Sequence, residues 1–123
     1  MVINRYVGAV RAMVESAAKK RGTVSFTQLF GAFPQDIRPA DVYDTLEGAC
    51  SGLGPLDDVI YSAVMAKAKD GLPGDGFFDI FKTHRNVEFR SIAEDAETLD
   101  LTNEQRKQIT RQERERVYAY ASS

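Results

Sequence analysis

Between Gly22 and Pro34 the chain specifies both ends of a helix within a few residues. Ser25 and Gln28 have capping-box spacing, in which the Ser25 hydroxyl accepts from the Gln28 amide while the Gln28 side chain reaches back to the Ser25 amide. Val24 and Leu29 stand at the two positions of a hydrophobic staple around that cap. The spacing predicts a short helix from Phe26 to about Ala32, stopped by Pro34. A short helix fixed this locally obliges the flanking segments to pack around it.

Upstream, Tyr6, Val10, Met13, Val14 and Ala17 recur at three- and four-residue steps, which predicts a helix over Asn4 to Arg21. Lys19, Lys20 and Arg21, followed by Gly22, suit its carboxyl end. Downstream, Arg38-Pro39 opens a third helix with the apolar edge Val42, Leu46 and Ala49, closed by Gly52 and Gly54-Pro55. Val59 to Ala66 is β-branched and aromatic and reads as a strand, and Asp70-Gly71 as a hairpin turn. Phe77 to Phe81 reads equally as a returning strand or a short helix. From Ser91 onward helix is expected, with capping-box matches at Ser91/Glu94 and Thr102/Gln105. The last helix, about Asn103 to Ala121, has a thin apolar stripe of Leu101, Ile109, Val117 and Tyr120.

The 123 residues fit one domain, and 43% hydrophobic content is ordinary globular usage. One cysteine, Cys50, excludes an intramolecular disulfide and a Cys-based zinc site, and reads as a small buried hydrophobe. No apolar run approaches the roughly 20 residues of a membrane span, and the amino end lacks a signal pattern, so a cytoplasmic domain is expected.

Long helix, short capped helix, third helix, strand and glycine-rich turn is the element order of a winged helix-turn-helix, whose third helix reads DNA beside a hairpin wing. Gly22, Val24, Ser25 and Phe26, then Arg38 with the helix of Val42 to Ala49, are similar to the DNA-binding half of alkyltransferase-like proteins. Gly71 and Gly74 fall in the corresponding wing region. The Pro-Cys-His-Arg motif of that family is absent, and Cys50 lies at the end of the third helix, so the resemblance does not imply alkyl transfer. The expected fold is α+β: a winged helix-turn-helix-like core with a short β-hairpin wing over residues 1–90, and a helical C-terminal extension, 91–123, packed on it.

The net charge of −2 hides segments of opposite sign: +3 over residues 1–37, −4 over 38–60, −3 over 61–101 and +2 over 102–123. Noncatalytic nucleic-acid binding, with duplex DNA as the expected ligand, would use local cations: Lys19, Lys20, Arg21 and Arg38, with Lys67 and Lys69 on the wing. Lys82, Arg85 and Arg90 add later positive charge, and Tyr43 and Thr45 would face bases from the third helix. Against this, Asp41, Asp44 and Glu47 form an acidic stripe on the same helix. With Asp57 and Asp58 they define the alternative reading, a protein-binding module or inhibitor that engages a basic partner. A third class, a metal-assisted nuclease, would draw on Asp75, Asp79 and His84, with Glu88 nearby, but their spacing matches no metal motif. Neither a metal nor a cofactor is expected. Gly74-x-Gly76 offers a backbone that phosphate approaches closely but lacks the lysine of a phosphate loop, so it reads as a turn anchored by Phe77 and Phe78. Mixed charges on the last helix fit surface pairs, and its stripe fits either packing on the body or a homodimer.

Overall fold

A computed structural model describes all 123 residues. Helices α1 (Asn4–Lys19), α2 (Phe26–Gly31) and α3 (Pro39–Ser51) stand where the periodicity and caps put them. They are followed by α4 (Asp75–His84), α5 (Asn86–Ala93) and α6 (Asn103–Ser122). Short 3-10 turns lie at Tyr61–Val64 and Thr98–Asp100. Both capping boxes at Ser25/Gln28 and Thr102/Gln105 form in full. Ser91 does not cap: it lies inside α5 and its hydroxyl donates to the Glu88 carbonyl at 2.7 Å.

Helix accounts for 65% of the chain and strand for 3%, which replaces the expected α+β winged helix-turn-helix with a mostly helical fold. The hairpin wing is absent. Its expected first strand, Val59 to Ala66, is buried continuously from Val59 to Met65, and such a run carries no alternation that separates strand from turn. It folds as the 3-10 turn and then β2 (Met65–Ala66), which pairs in parallel with β1 (Val24–Ser25), Val24 opposite Met65 and Ser25 opposite Ala66. The Asp70-Gly71 turn exists, with Gly71 at φ +73° and its amide donating to the Lys67 carbonyl at 2.8 Å. No strand returns from it. The chain passes through Leu72 to Gly74 into α4, so Phe77 to Phe81 is helical, and Lys67 and Lys69 belong to a turn, not a wing.

One cluster of 25 buried residues runs from Val10 to Tyr118. Val10, Val14 and Ala18 of α1 occupy its middle; α3 and α6 each pack on α1 and on the 61–64 turn. The aromatics Phe77, Phe78, Phe81 and Phe89 of α4 and α5 close the remaining side. No helix is long and apolar enough to cross a membrane.

Candidate functional site

The cations expected to meet DNA divide into committed and unengaged groups. Arg21 is committed: its guanidinium makes two 2.8 Å bonds to Glu115 and stacks 5.0 Å above the Tyr118 ring. Arg38 is committed too, forming two 3.1 Å bonds to Asp41. Lys19 and Lys20 are exposed at the end of α1. Lys67 lies 3.5 Å from Asp70, while Lys69 at the tip of the turn is exposed. On α3, Thr45 is fully buried, donates to the Asp41 carbonyl and accepts from the Ile3 amide. Tyr43 is 44% exposed and packs edge-on against Phe26 and Phe30. Arg85, read from the sequence as surface charge, has only 9% of its side chain exposed.

The acidic stripe is partly neutralised. Asp41 and Asp44 hold the Met1 ammonium between them, and the hydrogen bonds from that ammonium and from Arg38 keep the Asp41 carboxyl below its usual range. Asp57 lies 3.0 Å from His84 Nδ1, and Asp58 is exposed. The three nuclease candidates are dispersed, because Asp75 pairs with Arg106 at 3.2 Å, His84 with Asp57, and Asp79 faces outward from α4. No group of three His, Cys, Asp or Glu side chains is close enough to hold a metal ion. Burial pushes the Cys50 thiol up to about 12, so it is no nucleophile.

Two of the molecule's concavities bear on a binding role. The first is a groove of about 370 Å³ between the 70–72 turn and α6, lined by Lys107, Arg111, Arg114, Glu115 and Tyr118 among others. Arg114 builds it, donating to the carbonyls of Ala63 at 2.7 Å, Met65 at 3.1 Å and Gly71 at 2.8 Å. Arg114 meets carbonyl dipoles and no carboxylate, and burial lowers its pKa below the ordinary arginine value. Arg111 is exposed without an ion pair, and Lys107 reaches Glu104 only at 3.7 Å. Through Glu115 and Tyr118 the groove continues to Arg21, next to Lys19 and Lys20. Asp70 lines it from the turn, and the exposed Lys69 precedes Asp70 in the chain.

The second is a cleft of about 580 Å³ where α2, α3, β2 and the start of α4 converge. Phe26, Tyr43, Leu46, Met65 and Phe77 form its apolar walls, with Glu47, Lys67 and Asp75 among its polar lining. Desolvation raises the Glu47 carboxyl above its ordinary value, helped by the neighbouring charges of Asp44 and Asp79. A Cβ on Gly76 would lie 2.7 Å from Glu47 Oε1 and would push that carboxylate aside.

The strongest polar feature in the molecule escaped the sequence reading. Glu113, assigned there to the helix surface, is fully buried and accepts from the Ile60 amide at 2.7 Å and from Arg85 twice at 3.0 Å. Arg116 adds a fourth bond at 3.0 Å and links the pair to Glu88. The signal was present: Ile109, Glu113 and Val117 are four apart, so the carboxylate sits within the apolar stripe of α6. Glu113 and Arg85 thereby tie the Ile60 amide, just before the 3-10 turn, to the α4–α5 junction, while Arg116 and Glu88 reach the surface. No protein-family model, curated protein or solved structure matches the chain.

Proposed function

We propose that the chain is a noncatalytic nucleic-acid-binding module whose contact surface is the basic groove of α6, the 67–72 turn and the end of α1. The observation that carries this reading is that Arg111 and Arg114, neither paired with a carboxylate, line one groove with Lys107, while its acidic residues Asp70 and Glu115 pair with Lys67 and Arg21. Cations not already neutralised by carboxylates attract phosphates and release their counterions, which supplies sequence-independent affinity. With Nε and Nη2 spent on three carbonyls, Arg114 cannot present a bidentate fork to a base edge and offers a phosphate its charge and its remaining Nη1 donors. Asp41, Asp44 and Glu47 along α3 would repel phosphate, so the third helix is not the reading element in this proposal.

Fluorescence anisotropy of labelled duplex DNA, titrated with protein over a salt series, tests the reading. Binding is expected to weaken linearly with log salt, and Lys69→Ala and Arg111→Ala each to lower the slope by about one. Arg38→Ala, whose charge is spent on Asp41, is expected to leave the slope unchanged. No binding to duplex or single strands at low salt overturns the proposal.

A further inference from the structure

The nucleic-acid reading leaves the larger cleft without a role. Its polar groups are not equally satisfied. Asp75 is paired with Arg106, and the Lys67 ammonium with Asp70. Glu47 alone has neither a cation within ion-pair distance nor a protein donor, although it is held against α4 in a partly desolvated position. Ser62, also along the lining, is 4% exposed, and its unpartnered hydroxyl is closed off from solvent. The rings of Phe26, Tyr43 and Phe77 line the same cleft as Glu47. A carboxylate lacking a cation beside aromatic walls is complementary to a flat cation that carries several N–H groups.

We propose that this cleft binds an arginine side chain presented by a partner protein. A guanidinium stacks on aromatic faces and donates to a carboxylate in a fork. A phosphate or carboxylate ligand would meet Glu47 with like charge. An apolar side chain would leave Glu47 without a cation. Asp79, exposed on the neighbouring turn of α4, extends the negative field toward a basic partner.

The test is a ¹H–¹⁵N NMR titration of the full chain with the peptide acetyl-Gly-Arg-Gly-amide, and with acetyl-Gly-Glu-Gly-amide as its opposite. The arginine peptide is expected to shift the amides of Tyr43, Glu47, Ser62 and Gly74 to Phe77 saturably. Glu47→Gln, which keeps the shape and removes the charge, is expected to weaken that binding about tenfold. Gly76→Ala crowds the Glu47 carboxylate and should weaken it as well, with the dispersion of each free spectrum reporting that the variant is folded. Lys69→Ala and Arg111→Ala, which test the nucleic-acid groove, should leave peptide binding intact, so the two readings fail separately. Absence of saturable shifts, equal affinity in Glu47→Gln, or tighter binding of the glutamate peptide overturns the proposal.

Discussion

Glu113 shows how much can depend on one charged side chain. Its carboxylate is withdrawn from water and receives four hydrogen bonds, two from a guanidinium that is itself nearly buried. Removing one member of a buried pair strands the other, so Glu113→Ala is expected to cost about 3–5 kcal/mol, read as a lower urea midpoint. Replacing both partners with apolar residues, Arg85→Met with Glu113→Leu, should recover only part of that loss. The Ile60 amide would still lack its acceptor, a deficit of about 1–3 kcal/mol. Full recovery in the double variant would mean that the Ile60 bond contributes little. Composition obscures this residue, because glutamate is almost never fully buried unless paired, and its partner lies 28 positions away. The local spacing from Ile109 to Val117 placed Glu113 on the inner stripe; what it met there depended on tertiary packing.

The elements that carry their own punctuation are the ones legible before folding. Ser25/Gln28 and Thr102/Gln105 fix helix starts through bonds within four residues, so pattern and structure agree. Ser91/Glu94 has the same spacing and fails, since Ser91 falls within a helix already begun at Asn86. Val59 to Val64 misleads for a different reason: its β-branched content favours strand, but the core surrounds it and the Glu113 carboxylate accepts the Ile60 amide that a strand neighbour would have used. Of the candidate sites, the cations Lys19, Lys20, Lys67 and Lys69 could be named from composition, whereas the groove required Arg114 to be folded against three distant carbonyls. Nothing in the sequence announces the end of α5 either. Glu94 terminates it at φ +57° and ψ −121°, a region that residues with a Cβ rarely occupy, while its side chain is exposed. Glu94→Gly is therefore expected to stabilise the fold by about 1 kcal/mol, raising the thermal midpoint by a few degrees. Glu94→Ala retains the Cβ and should bring no such gain. Equal behaviour of the two variants would remove backbone strain as the explanation.

At the scale of the whole molecule, α6 both supports the core and carries the proposed contact face. Its inner side supplies Ile109, Val117 and Tyr118 to the single buried cluster, and the Tyr118 hydroxyl donates to the Gly22 carbonyl at 2.9 Å. The outer side carries Lys107 and Arg111, and Arg114 ties the 63–71 backbone to the helix. Removing residues 103–123 would uncover the sites filled by Ile109 and Val117, together worth about 3–6 kcal/mol. It would also take the Glu113 carboxylate from the Arg85 guanidinium and the Ile60 amide. Those losses are comparable with the entire stability of a small domain, about 5–15 kcal/mol. A chain ending at Thr102 is accordingly expected to give no cooperative thermal transition by circular dichroism and a collapsed amide spectrum. The peptide 103–123 added in trans should restore both, because the helix carries its own capping box and the core offers a matching surface. A sharp transition in the shortened chain alone would show instead that residues 1–102 form an independent body to which α6 is merely attached. The groove of the proposed contact face would then be a surface between two separable units.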